Sequence, residues 1–162
     1  MLDNWEKGET AMKAKEIMIS EVITAPPEMP VRDLARLLTE KRIGGVPIVE
    51  EGRLLGMVTE EDLLARVKLI HPPTLITILD AVIPIAGERR YEEDLRRMAA
   101  STAEEIMTTE LEAVDEETDL AEVATLISDR HVSLLPVLRG DELVGIIGKR
   151  DVIRGMLAEG VA

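Results

Sequence analysis

Apolar residues at Val31, Leu34, Ala35, Leu37 and Leu38, with charged residues on the opposite positions, mark one face of a helix. Pro30 stands where a proline can open that helix, and Gly44-Gly45 mark its end. Two short apolar runs follow, Val46 to Val49 and Leu54 to Val58, joined by a polar turn containing Gly52. That pattern predicts two antiparallel strands. A further helix begins around Glu60. Upstream, Ala14 to Met18 reads as a short helical lead-in, and the β-branched Val22-Ile23-Thr24 as a strand ended by Pro26-Pro27.

The same succession returns. Ala103 to Met107 matches the lead-in, Leu111 to Val114 is a strand, and Thr118 is a candidate N-cap before Leu120, Val123, Ala124 and Ile127. Strands at Ser133 to Leu138 and Leu143 to Ile147 precede a helix running to about Ala158. Pro47 and Pro136, Gly56 and Gly145, and Asp62 and Asp151 are each 89 residues apart, so the copies align without a gap. Each copy reads β-α-β-β-α, an α+β arrangement. The chain divides into a polar N-terminal segment (1–12), a first repeat (13–67), a connector (68–102) and a second repeat (103–162). A half of about 55 residues is marginal alone, so the repeats are expected to pack about a pseudo-twofold axis as one module. In the connector His71-Pro72-Pro73 is a breaker. Thr74 to Ile83, stopped by Pro84, is expected to be an apolar helix, and Tyr91 to Ala100 a charged one. The apolar one would enter the core or a subunit interface.

Composition narrows the function. Of 162 residues 46% are hydrophobic, yet there is no Phe and one Trp and one Tyr, so the core is aliphatic. A net charge of -13 opposes sequence-independent binding to nucleic acid or to an anionic membrane. The absence of Cys excludes disulfides and thiolate chemistry. No apolar signal core and no membrane-length run is visible, which predicts a soluble, cytoplasmic protein. No nucleophile lies beside a base, no Gly-rich phosphate loop occurs, and His71 and His131 lack ligand spacing, so neither an enzyme nor a metal site is expected.

Small residues, then apolar-Pro-apolar-apolar, a polar turn, an apolar-apolar-Gly strand and a helix with Asp near its start make up a pattern that resembles the CBS domain, named after cystathionine β-synthase. Ile17-Met18 and Ile106-Met107 also match the family's habitual beginning. The resemblance implies a tandem pair with two clefts for adenosine-containing ligands: AMP, ADP, ATP, S-adenosylmethionine or a dinucleotide. It further implies that the Asp opening the last helix accepts both ribose hydroxyls. The Ser or Thr three residues earlier would assist, and adenine would lie among apolar and main-chain groups.

Carried onto this chain, the pattern gives Thr59 and Asp62, whose Thr-x-x-Asp spacing follows a strand. A carboxylate offers two acceptors for the two donors of a cis-diol, and the same spacing also makes a capping box. In the second copy Asp151 is kept but Gly148 replaces the Thr, while Lys149 and Arg150 could meet a phosphate. Gly44 and Gly45 before the first Pro, and Ser133 and Leu134 before the second, leave those positions without the bases found in some nucleotide-sensing members. Thr24, Ala25, Ala113 and Val114 occupy the start of the implied adenine pocket, flanked by Ile43 and Val132, with Val46 and Pro47 beside them. One cleft would join Thr59 and Asp62 to Ala113, Val132 and Ser133. The other would join Asp151 and Lys149 to Thr24, Ile43 and Gly44.

The sequence therefore points to a regulatory module that senses an adenine nucleotide or S-adenosylmethionine, needs no cofactor, forms a homodimer and signals to a separate effector protein. The alternative is a protein-interaction scaffold of the same fold without a small ligand.

Overall fold

The computed structural model describes residues 11–68, 74–78 and 81–160. In chain order these form α1 (Ala14–Ile17), α2 (Val31–Lys41), β1 (Gly45–Glu50), β2 (Arg53–Thr59), α3 (Glu60–Lys68), β3 (Thr74–Ile78) and β4 (Ala81–Ala86). There follow α4 (Glu88–Ala100), α5 (Ala103–Ile106), β5 (Val114–Asp115), α6 (Leu120–Asp129), β6 (Leu134–Arg139), β7 (Glu142–Gly148) and α7 (Lys149–Ala158). The fold is α+β and contains the β-α-β-β-α plan twice. Its compact units are residues 23–111, and residues 1–22 together with 112–162. Most of the polar segment 1–12, and the breaker His71–Pro73, lie outside the described residues.

In the 23–111 unit, Pro30 is the N-cap of α2, and Val31, Leu34 and Leu38 bury one face of the helix. Each such side chain contributes about 1.5–3 kcal/mol by leaving water. The helix stops at Arg42 in the left-handed conformation (φ 54°), earlier than the expected Gly44-Gly45. β1 and β2 pair antiparallel from Gly45 with Thr59 to Glu50 with Arg53, with a bulge after Ile48. The strand expected at Val22–Thr24 contracts to one parallel bridge at Ala25 beside Ile48. Pro26 and Pro27 follow at once and supply no N–H to extend it. Ala25, Leu34, Leu38, Val46, Ile48 and Val58 form the core together with Ala103, which comes from the second repeat's lead-in helix α5. That segment is held by main chain: Ala103 N–H donates to Met29 O at 2.8 Å. Met57 and Thr108 donate to one another's carbonyls at 3.0 and 2.9 Å. Gly56 permits the approach, since a Cβ there would stand 2.8 Å from both Met107 Sδ and Thr108 O.

The other unit repeats these relations 89 residues on. β6 and β7 pair from Leu134 with Gly148 to Arg139 with Glu142, with the bulge after Val137. Val114 of β5 lies parallel to Val137. α6 begins after Asp119, one residue beyond the expected Thr118, and Leu120, Val123, Ile127, Leu135, Val137 and Ile147 form the core with Ala14 of α1. Here the first repeat's lead-in docks: Ala14 N–H donates to Thr118 O at 2.8 Å, and Ile19 and Ile146 exchange bonds at 2.9 and 3.0 Å. Each unit thus consists of one repeat completed by the other's lead-in helix.

The connector corrects one expectation. Thr74–Ile78 and Ala81–Ala86 are antiparallel strands, pairing Ile76 with Ile83 and Ile78 with Ala81, not a helix. Thr74, Ile76, Thr77, Ile78, Val82 and Ile83 are β-branched and lose side-chain freedom in a helix, and short apolar runs do not reveal their period. The second segment is the helix α4, as its pattern predicts.

Candidate functional site

The first repeat's candidate residues meet where β2 runs into α3. Gly45 pairs with Thr59 across the β1–β2 ladder. Gly44 O accepts from Glu60 N–H at 3.0 Å. Pro47 has no N–H to give, but its carbonyl accepts from Ala25 N–H at 3.0 Å. Ala25, Val46 and Pro47 are buried, so they offer walls and main chain, whereas Thr24 and Gly44 are exposed and Ile43 is half-buried.

Asp62 Oδ2 accepts from the Thr59 N–H at 2.7 Å and from Thr59 Oγ1 at 2.8 Å. Asp62 N–H points back at Thr59 Oγ1 at 3.4 Å. The capping box is therefore formed. It occupies one carboxylate oxygen. Among the described residues Oδ1 has one neighbour, the Thr108 hydroxyl, at the outer limit of 3.5 Å. Thr108 escaped the sequence reading because it lies 46 residues away and reaches Asp62 only through the docked α5 segment.

In the second repeat the equivalent carboxylate is committed differently. Asp151 is buried, and its Oδ2 accepts from Gly148 N–H at 2.8 Å. Its Oδ1 accepts from Arg154 Nη2, one turn along α7. Ala65 stands at the position matching Arg154 in the first repeat. Ser133 and Leu134 lie beside Gly148: a Cβ there would be 3.4 Å from Leu134 Cδ2 and 3.9 Å from Ser133 O. Lys149, Arg150, Ser133 and Ala113 are exposed, and Val132 is half-buried. Arg154 was missed although an i, i+3 Asp–Arg pair is readable from sequence.

The candidates thus gather in two sets. Thr24, Ala25, Ile43, Gly44, Val46, Pro47, Thr59 and Asp62 belong to the 23–111 unit, and Ala113, Val132, Ser133, Lys149, Arg150 and Asp151 to the other. The expected combinations of Asp62 with Ser133 and of Asp151 with Gly44 draw on both. A groove of ≈ 610 Å³ between α2, α3 and α4, lined by Leu38, Leu63, Leu64, Leu95 and Met98, includes none of these residues. Among the described residues no cluster of three His, Asp or Glu could hold a metal ion, and no helix is long and apolar enough to cross a membrane.

The CBS domain family pattern matches residues 14–69 and again residues 103–158. The chain belongs to the CBS domain family. Among curated CBS proteins it is similar to the CBS domain-containing protein YhcV of Bacillus subtilis, 25% identical over 138 residues that make up 85% of this chain and 81% of that one. Among solved structures, CBSX2 in complex with AMP superposes with a TM-score of 0.70 at 22% identity, covering 91% of this chain and 98% of that one. The CBS domain pair of MJ0100, in complex with 5′-methylthioadenosine and S-adenosyl-L-methionine, gives a TM-score of 0.69 at 24% identity, covering 94% and 99%. At these identities the likeness to both structures is one of fold.

Proposed function

We propose that this CBS protein is a regulatory module that binds an adenosine-containing small molecule and passes its occupancy on to another protein. The observation that carries the reading is the state of Asp62. One of its oxygens is fixed by Thr59, while the other, among the described residues, meets only a hydroxyl at 3.5 Å. Such a carboxylate is held in place yet keeps acceptor capacity for a ribose diol. The same Asp recurs at Asp151, and the fold is shared with proteins whose structures contain AMP or S-adenosyl-L-methionine. Thr59 orients Asp62, and Gly44, Ile43 and Thr24, which the sequence reading grouped with Asp151, lie in the same unit as Asp62 and would supply main chain and wall. The output is a population shift: a ligand favours one conformation by its differential affinity for it. The module would work as a homodimer, with its listening partner a separate polypeptide.

A scaffold without small ligand is the second reading. Asp151 favours it, because Gly148 N–H and Arg154 already engage both its oxygens.

Thermal unfolding with AMP, ADP, ATP, S-adenosylmethionine and NAD in turn separates the two. A ligand at about 100 times its Kd adds roughly 2.7 kcal/mol of stability. A rise with any of these ligands that Asp62→Ala or Asp151→Ala abolishes supports the sensor. No rise with any of them supports the scaffold.

A further inference from the structure

The two equivalent helix starts carry opposite charge. α3 opens Glu60-Glu61-Asp62, with no base up to Ala65, whereas α7 opens Lys149-Arg150-Asp151 and adds Arg154. Glu60, Glu61, Lys149 and Arg150 are all exposed. In α3 the carboxylates suit the positive end of the helix dipole, so their placement needs no ligand to explain it. In α7 two bases sit against that dipole, an arrangement unfavourable for the helix by itself.

Geometry ties both charge sets to the candidate residues. The Glu60 carboxylate reaches over exposed Gly44: a Cβ on that glycine would stand 3.9 Å from Glu60 Oε2. In the second repeat Arg154 reaches Asp151 and neutralises its buried carboxylate, leaving Lys149 and Arg150 in the same turn without an ion pair among the described residues. Residues of one helical turn rise only about 5.4 Å. That is inside the screening length of about 8 Å at physiological salt.

We infer that the two repeats take different classes of adenosine ligand. The first accepts a nucleoside without negative charge, neutral or cationic as in a sulfonium compound. The second accepts an adenosine phosphate, with Lys149 and Arg150 as its specificity-determining residues. Glu60 and Glu61 exclude phosphate from the first site. The inference rests on the adenosine-binding reading above and assigns each site its ligand charge.

Calorimetric titration with AMP and with adenosine tests it, on the wild-type chain, on K149E/R150E and on E60K/E61R. In wild type one AMP per chain should bind at least about tenfold more tightly than a second, and should weaken with salt, while adenosine does not. K149E/R150E should lose about tenfold or more in AMP affinity with adenosine unchanged. Its new carboxylates suit the helix dipole, so misfolding does not account for such a loss. E60K/E61R should gain a second tight AMP equivalent. Two AMP sites of equal affinity, or charge reversals that leave AMP unaffected or weaken adenosine equally, would overturn the inference while adenosine binding preserves the sensor. If wild type binds neither adenosine nor AMP, the sensor reading itself fails, and this inference with it.

Discussion

Arg154 reaches back one turn along α7 to Oδ1 of Asp151, a carboxylate whose side chain is 7% exposed while the guanidinium is 71% exposed. Removing the exposed partner leaves the buried one, among the described residues, with the Gly148 N–H as its donor. Breaking a buried pair is costly and breaking a solvated one is not, and this pair is half of each. Arg154→Ala is expected to lower stability by about 1–2 kcal/mol. For a chain of this size that is a fall in Tm of roughly 2–8 °C. Asp151→Asn combined with Arg154→Ala should cost less than the sum of the single changes, and a double-mutant cycle by urea unfolding reads the coupling.

Gly56 and Gly145 are equivalent but not equally replaceable. The three atoms nearest a Cβ on Gly145 would all belong to Met18: Sδ, then Cγ at 2.8 Å and Cβ at 3.0 Å. A Cβ on Gly56 would also meet a main-chain oxygen, Thr108 O, at 2.8 Å. Gly56→Ala and Gly145→Ala should each destabilise by about 1–3 kcal/mol. Met18→Ala should recover part of the loss in Gly145→Ala. Met107→Ala should recover little in Gly56→Ala, because the carbonyl remains. Chemical denaturation of the four single and two double variants distinguishes the cases.

Arg42 and His131, again 89 residues apart, hold left-handed φ values of 54° and 53° at the ends of α2 and α6. A side chain with a Cβ is strained there and glycine is not. Arg42→Gly and His131→Gly are each expected to stabilise by up to about 1 kcal/mol, the relief of strain being partly offset by a freer unfolded chain. A Tm below wild type for both would show that these side chains hold contacts worth more than the strain.

The ion pairs fix the pH response. Glu116 accepts from Arg139 Nε at 2.5 Å and Nη2 at 2.7 Å, which holds its carboxyl below the ordinary range, first through these hydrogen bonds and then through the opposite charge. A lowered carboxyl pKa contributes stability above its unfolded value and loses it as pH falls through its folded value. The advantage of wild type over Arg139→Ala should therefore be full at neutral pH and vanish in acid. Lys13 and Lys15 are raised, chiefly by hydrogen bonds to Asp119 and Glu117. Their contribution is full below the ordinary lysine value and is lost as pH rises through the raised one. Unfolding midpoints of wild type, Arg139→Ala and Lys13→Ala from pH 3 to 11 read both limbs.

Most of this architecture was legible because the chain states it twice. An 89-residue shift carries the Gly45–Thr59 pair onto Leu134–Gly148 and the Ala25–Ile48 bridge onto Val114–Val137. The β3–β4 hairpin was not legible, since a run such as Thr74-Leu75-Ile76-Thr77-Ile78 satisfies helix and strand alike. At the candidate site the Thr59–Asp62 spacing announced the cap and the carboxylate together. Thr108 was hidden because its approach depends on docking between segments distant in the chain, which no local periodicity records. The charge inversion between Glu60-Glu61 and Lys149-Arg150 was visible in the letters, but acquires meaning only when both turns are seen at equivalent places in the fold.

The exchanged lead-in helices bear on how the gene could be rearranged. Residues 23–111 form one continuous unit, whereas the other is assembled from both ends of the chain, 112–162 and 1–22. A permuted polypeptide starting at residue 23, running to 162 and continuing through a linker into 1–22, would write each unit as uninterrupted sequence. Cutting at the repeat boundaries instead would strand each lead-in on the wrong fragment, with Ala14 severed from Thr118 and Ala103 from Met29. Separately expressed repeats would then be restored only by trading helices in trans, so duplication and interdependence are built into the same few alanines.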